Sequence, residues 1–313
     1  MKVSLVAIMK NEAPYVREWI SWHRKFRFDN IVVYDNGGNG DLSELGITVI
    51  PFENVEQPQL RAYQDWINRA EFDSWTLFID ADEFYEGEKP HELLKPYQHC
   101  DTVRLNWKCF GSLGQIKYED SPVQNRFNIP LPKDCVYNES LPNCVTENCH
   151  IKNFYHKTFK PAQAQIHNTL VKGGLCVNAS GVHENGLSPW QDVCWDFAFI
   201  KHYITKSAEE FAQRRFNAVD ACGNVVATND KLIERYFRLN GYDEKTDKFF
   251  KEYLNAKAGR NSENLQPVPS ECDNDRISDG TQPTDTETTS REFEQTNESV
   301  HKRAGRRTEG GKH

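Results

Sequence analysis

The chain has 313 residues, a formal net charge of -8 and a pI near 5.7, a balance that excludes a general nucleic-acid binder because phosphate neutralisation needs a basic face. No run approaches the roughly 20 apolar residues of a membrane span, and MKVSLVAIMKNE carries charge too early for a secretory signal. The expectation is a soluble, cytoplasmic protein without a transmembrane segment and long enough to bury a sizeable core.

In chain order, VSLVAIM reads as a buried strand, broken at Asn11 to Ala13. Pro14 then suits the first turn of a helix whose apolar face carries Tyr15, Val16, Trp19, Ile20 and Phe26. NIVVYD is a second strand, ended by the turn-forming Asn-Gly-Gly-Asn-Gly of residues 36 to 40, and Ile47 to Phe52 is a third. An amphipathic helix from Gln57 to Ala70, with Leu60, Tyr63, Ile67 and Ala70 on one side, leads to WTLFID as the fourth strand. Such alternation is how an α/β domain with a mostly parallel sheet is written. Residues 108 to 200 hold no persistent period, so loops and short strands are expected there. Ser207 with Glu210 predicts a capped helix running to about Ala221, followed by helices near Lys231 to Leu239 and Thr246 to Ala256. From residue 259 the composition is too polar to bury a core, which predicts a disordered tail over 259–313.

Nine cysteines in a chain with no export signal read as free thiols. Cys135, Cys144, Cys149 and His150 lack the paired C-x2-C hooks of a zinc site and are read as structural. The Asn-x-Ser triplets at Asn138, Asn178 and Asn297 matter only for an exported chain and are discounted.

Ligands of an open parallel sheet gather beyond the carboxyl ends of its strands. Asn11 and Glu12, Asp35 and Asn36, and Asp80 to Glu83 end the first, second and fourth strands. On extended backbone, Asp80 and Asp82 share a face and can offer hard oxygen ligands to Mg²⁺ or Mn²⁺, against the plainer reading of a solvated acidic loop. No Walker A loop or GxGxxG follows the first strand, which removes the two commonest nucleotide-binding readings.

The stretch NEAPYVREWISWHRKFRFDNIVVYDNGG, then WTLFIDADEF, NWKCFGSLG, KTFKPAQAQIH and IKHYITKSAEEF, in that order over residues 3 to 220, resembles glycosyltransferase family 92 and the related bacterial family-2-like transferases. The resemblance implies an A-type glycosyltransferase fold, a Rossmann-like nucleotide-binding sheet carrying an Asp-x-Asp motif. It also implies a nucleotide-sugar donor with UDP as the expected carrier, a divalent cation and inversion at the anomeric carbon. Residues 1–107 would form the nucleotide-sugar half and 108–258 the acceptor half of one catalytic domain. By the same resemblance Asp80 and Asp82 hold the ion and diphosphate, Asn11, Glu12, Asp35 and Asn36 meet base and ribose, and His167 supplies a third metal ligand, with His202 as second choice.

Inversion needs one base to take the acceptor's proton. Glu119, Asp120, Glu184 and Asp192 are candidates, and Asp192 is preferred because it lies between Trp190 and Trp195. Lys157 and Arg126 are candidates for donor phosphates or the acceptor, against the reading of plain surface cations. Trp107, Phe110, Phe154, Tyr155 and Trp190 are candidate sugar platforms, each more often packing. The expected partners are a nucleotide-sugar donor and a saccharide, glycoprotein or glycolipid acceptor in glycan or polysaccharide synthesis. Two other classes fit the same carboxylates: a nucleotidyl- or phosphoryl-transfer enzyme, and a non-catalytic sugar-nucleotide-binding module.

Overall fold

The computed structural model describes residues 1–53, 55–134, 147–189, 191–216 and 228–263, the last six of these by backbone alone. Residues 1–263 make one compact unit. Its elements in chain order are β1 (Val3–Met9), α1 (Val16–Arg24), β2 (Asn30–Asp35), β3 (Thr48–Pro51), α2 (Pro58–Arg69), β4 (Trp75–Phe78), β5 (Glu83–Gly87), α3 (Pro90–Leu94), β6 (Thr102–Cys109) and α4 (Val123–Arg126). They continue with β7 (Ile151–His156), β8 (Ala162–Ala164), β9 (Thr169–Val171), β10 (Cys176–Asn178), β11 (Ala198–His202), α5 (Ala208–Arg215), α6 (Asn229–Asn240) and α7 (Glu244–Glu263).

The principal sheet runs β3-β2-β1-β4-β7-β6-β11-β5, with β10 beside β6, while β8 and β9 pair separately. β3, β2, β1 and β4 are parallel, with Ser4 opposite Asn30 and Leu5 opposite Leu77. β7 lies antiparallel between β4 and β6, and β5 lies antiparallel on β11. β11 runs parallel to β6. One rim of the sheet therefore collects the carboxyl ends of β1, β4, β6 and β11 together with the amino ends of β5 and β7. That rim positions the candidate site.

Side-chain alternation on β1 sends Leu5, Ala7 and Met9 into one layer and Val6 into the other. α1 covers the first layer with Val16, Trp19 and Ile20, whose spacing gives one apolar face. Trp19 donates its indole N–H to the Glu83 carbonyl at 2.8 Å, and His23 Nε2 accepts from the Tyr85 amide at 3.0 Å. Since Nε2 accepts, the proton is on Nδ1, which donates to the Trp19 carbonyl at 2.8 Å. Burial pushes the His23 imidazole down to about 3, so a neutral ring ties α1 to β5. α2 covers the opposite layer with Ala62, Tyr63 and Ile67 against Val32 and Phe78.

A third cluster joins α5, α6 and α7 through Phe211, Phe216, Leu232, Tyr236 and Phe250. α5 begins with the expected capping box: Ser207 Oγ accepts from the Glu210 amide, and Glu210 Oε2 accepts from the Ser207 amide at 3.1 Å.

The α/β class expected from the alternating pattern is the class observed. Residues 108 to 200 hold the expected loops and short strands, of which β7 is buried over all six residues. Two details differ. α5 stops at Arg215, because Phe216 turns to extended backbone to enter the aromatic cluster. Pro14 sits in a turn two residues ahead of α1 instead of inside its first turn. Cys135, Cys144, Asn138, Trp190, Asn297 and residues 264–313 of the expected tail lie outside the described residues, while residues 259–263, also expected in that tail, end α7. Asn178 is buried, with its side chain accepting from the Ser180 and Val182 amides.

Candidate functional site at the sheet rim

The rim opens into a cavity of about 800 Å³, within the roughly 300–1,000 Å³ usual for small-molecule sites. Asp80 and Asp82 both line it. They are brought there by a turn, since β4 ends at Phe78 and the Glu83 amide donates back to the Asp80 carbonyl at 3.1 Å. A turn between β4 and β5, and not the expected extended strand, therefore brings the two carboxylates to one cavity.

Each carboxylate is held by groups that the fold supplies. Asp80 Oδ1 accepts from Gln59 Nε2 at 2.7 Å and from the Tyr63 hydroxyl at 3.3 Å, while Oδ2 accepts from Lys152 Nζ at 3.2 Å. Lys152 also donates to the Ile166 carbonyl at 3.0 Å and stands 3.4 Å from Glu83 Oε2. Burial alone would lower the Lys152 ammonium, but the Asp80 and Glu83 carboxylates outweigh it and hold the group above its ordinary value. Glu83 is fully buried with Oε1 unpartnered. Burial, with the charges of Asp80 and Asp82 added, pushes its carboxyl up to about 8 against the pull of Lys152.

Asp82 is 3 % exposed at its side chain and accepts from Arg214 Nη1 at 2.7 Å. Burial would raise its carboxyl, yet Arg214, then His202 and Lys206, hold it well below the usual range. His202, the last residue of β11, places Nε2 3.7 Å from Asp82 Oδ2. His167 lines the same cavity with Nδ1 unpartnered, and burial together with the Lys152 charge pushes it down to about 2. It is therefore a neutral imidazole, the form that binds metal. Among the described residues no three His, Cys, Asp or Glu side chains already stand as a metal-holding group.

Asn11, Glu12 and Asn36 line the cavity beside β1 and β2. Asn11 adopts φ 59°, a left-handed conformation uncommon outside glycine, with its amide bonded to the Gly37 carbonyl at 2.9 Å. Gly38 suits this turn, because it takes φ 73° and a Cβ there would run into the Asn11 side chain. Asp35, expected at the ribose, instead fastens this turn: its Oδ1 accepts from the Gly37 amide at 3.0 Å and from Asn39 Nδ2 at 2.5 Å, and it does not line the cavity.

Asp192, expected as the base, is exposed on an irregular stretch and is absent from the cavity wall. Its charge bears instead on Glu184, which is likewise away from the cavity, and Glu119 and Asp120 are exposed. Arg126 is committed to Glu210 by two bonds of 2.8 and 2.9 Å, and Lys157 donates to the Ile67 carbonyl at 2.7 Å. Phe110, Phe154 and Tyr155 are core, whereas Trp107 lines the cavity, packed against His150 and His202 at centroid distances of 4.7 and 4.1 Å.

The cavity adds Glu147, His150, Lys206, Arg214, Arg215 and Arg235, none of which sequence reasoning singled out in this role. Glu147 Oε1 accepts from Arg235 at 2.9 Å, while its buried Oε2 has no hydrogen-bond partner. Glu210, also on the wall, is bound by Arg126, Ser207 and Tyr15; burial notwithstanding, these push it down to about 2 and leave it no capacity as a base.

No protein-family model matches the chain, and no curated protein matches it. Solved structures that resemble it in part include the 1–349 fragment of S. aureus TarS with UDP, at 20% identity over 38% of this chain and 38% of that one, with a TM-score of 0.28. S. aureus TarS itself aligns at 12% identity over 78% of this chain and 44% of that chain, with a TM-score of 0.35. Glucosyl-3-phosphoglycerate synthase from Mycobacterium tuberculosis, with Mn²⁺, UDP and glucosyl-3-phosphoglycerate, aligns at 18% identity over 34% and 44%, with a TM-score of 0.26. In these three the chain spans less than half the length of the protein it matches. Overlaps of that size carry no argument about activity, which rests on the residues of the cavity. No helix among the described residues is long and apolar enough to cross a membrane.

Proposed function

We propose that the chain is a glycosyltransferase that moves a sugar from a UDP-linked donor to a hydroxyl of a saccharide or glycoconjugate, with inversion at the anomeric carbon. One observation carries this reading: Asp80 and Asp82 border the same cavity as Asn11 and Glu12, at the carboxyl ends of parallel strands. Two carboxylates offer the hard oxygen donors that Mg²⁺ or Mn²⁺ takes, with diphosphate and water completing the set. His167, neutral and with Nδ1 unpartnered, is the further protein ligand, with His202, whose Nδ1 is likewise unpartnered and whose Nε2 stands 3.7 Å from Asp82 Oδ2, as the alternative. The ion, when bound, stabilises charge on the departing diphosphate, so no protonated leaving group is needed.

The chain's own residues divide the remaining tasks. Asn11, Glu12 and Asn36 receive the nucleoside beside β1. Glu147 is the base, since it lines the cavity with His150 and its Oε2, 3.9 Å from His150 Nδ1, accepts no hydrogen bond and can take the acceptor's proton. Incubation with UDP-sugars and Mn²⁺, followed by detection of UDP and sugar product, tests the reading. Release of pyrophosphate, or transfer of a phosphate, would replace it with a nucleotidyl- or phosphoryl-transfer reaction. Metal-assisted donor binding with no product in any acceptor mixture would leave a binding module.

A further inference from the structure

β6 and β11 run side by side with Lys108 opposite Lys201. Alternation along these strands sends Trp107 and His202 to the rim cavity and Lys108, Phe199 and Lys201 to the opposite face. There a second cavity of about 240 Å³ opens. The two lysines in it are not equivalent. Lys201 is satisfied, with Glu86 Oε2 at 2.6 Å and Gln124 Oε1 at 3.4 Å. The Lys108 ammonium forms no ion pair and no hydrogen bond with any described residue. It is held between two rings, 4.8 Å from the Trp195 centroid and 4.9 Å from that of Phe199. Trp195 is itself fixed, since its indole N–H donates to the Trp107 carbonyl at 2.8 Å. Cation–π contacts aim the ammonium without neutralising it, so its charge is left for an anion. Tyr203 supplies a second free donor: the residue is buried, and its hydroxyl bonds to no described residue. Burial first, then the charges of Glu18 and Glu86, hold the phenol above its ordinary value, so it keeps its proton. The Tyr203 ring stacks on Phe110 at a centroid distance of 5.0 Å, which gives the pocket a flat aromatic side.

We infer that this second pocket binds a carboxylate carried on a single ring, with the Lys108 ammonium and the Tyr203 hydroxyl holding the carboxylate and Phe110 and Phe199 facing the ring. The charge fits: with Lys201 matched by Glu86, one positive charge is uncompensated, which suits a monoanion better than a phosphate dianion. The size fits as well, because the pocket is smaller than the roughly 300–1,000 Å³ of drug-sized sites and leaves room for one ring but not for a nucleotide. Aromatic side chains accept either the apolar face of a sugar or another aromatic ring, so a sugar acid and an aromatic acid share this chemistry. The Tyr203 amide donates to the Asp82 carbonyl at 3.0 Å, which places the ligand directly behind the rim turn. The inference is independent of what occupies the rim cavity.

The test is calorimetry on the full chain with glucuronate and benzoate as probes, and with glucose and inorganic phosphate as controls. At least one of the two carboxylates is expected to bind roughly tenfold tighter than either control. Tighter glucuronate identifies a sugar acid as the ligand, and tighter benzoate an aromatic acid. Lys108→Met should weaken the preferred probe roughly tenfold and Tyr203→Phe about threefold, with Lys108→Arg keeping most of the affinity. Because Lys108 is unpaired in the free protein, Lys108→Met should melt at the wild-type temperature, which separates a binding role from a structural one. An excess of UDP with Mn²⁺ should leave probe affinity unchanged. Failure of both carboxylates to bind, phosphate binding as tight as theirs, affinity within about twofold of wild type in both Lys108→Met and Tyr203→Phe, or displacement of the probe by UDP would each overturn the inference. Sugar transfer that persists beside any of these results would leave the glycosyltransferase reading standing.

Discussion

Lys152 places its ammonium 3.2 Å from Asp80 Oδ2 and 3.4 Å from Glu83 Oε2, with 1 % of its side chain exposed. The strand that carries it, β7, runs antiparallel beside β4, so its amino end delivers a cation to the rim where β4 delivers acids. Glu83, pushed up to about 8, carries little charge at neutral pH and the Asp80 side chain is 28 % exposed, so what Lys152 supplies is a charge-assisted hydrogen bond worth about 1.5–3 kcal/mol. Lys152→Met is expected to lose stability on that scale in urea unfolding, and Glu83→Gln in the same chain should restore part of it. A loss below about 1 kcal/mol would show that Asp80 and Glu83 do not depend on the ammonium.

His23 makes stability pH-dependent in a known direction. Its folded value of about 3 lies below the ordinary 6.5, so the unfolded chain binds the extra proton. Its contribution is fully present above about pH 6.5 and declines as pH falls toward 3, by up to about 1.4 kcal/mol per pH unit. His23→Gln keeps a donor and an acceptor without titrating. Chemical unfolding at several pH values should show a shallower slope in that variant, and an unchanged slope would contradict the buried neutral ring.

Ser207 joins fold to site, because α5 carries Arg214 to Asp82. Ser207→Ala removes one half of the capping box and should cost about 0.5–2 kcal/mol in thermal or urea unfolding. Ser207→Gly should differ from alanine, since glycine caps better. Equal stability of all three chains would mean that the cap does not hold α5.

Much of this arrangement is written in local sequence. VSLVAIM and NIVVYD are short apolar runs that give way to polar residues, and Ser207 with Glu210 announces a helix start, so the strands, the cap and the rim acids are legible. Lys152 is not, because IKNFYH gives no period that distinguishes a buried ammonium from a surface one, and its partner acids lie some 70 positions earlier in the chain. Arg126 misleads for the same reason: only the three-dimensional approach of Glu210 shows it to be committed. Asp192 has attractive aromatic neighbours in sequence, but their spacing says nothing about which side of the sheet the loop takes.

Glu147 is expected to act on the chemical step and not on donor capture. Glu147→Gln should lower kcat by about 10²–10⁴-fold while UDP binding stays within a few-fold of wild type. Asp192→Asn, at a residue that does not line the cavity, should leave kcat near the wild-type value. Reversed behaviour of the two variants would return the base to the Trp195 loop.

Calorimetric titration of UDP into the protein with Mn²⁺ and with EDTA tests the central claim most directly. The account predicts binding that Mn²⁺ strengthens at least tenfold in the wild type and that Asp82→Asn, still folded by thermal melt, no longer shows. Equal UDP affinity in Mn²⁺ and EDTA, or an Asp82→Asn protein that keeps the metal effect, would contradict a cation clamped between these two carboxylates and a diphosphate.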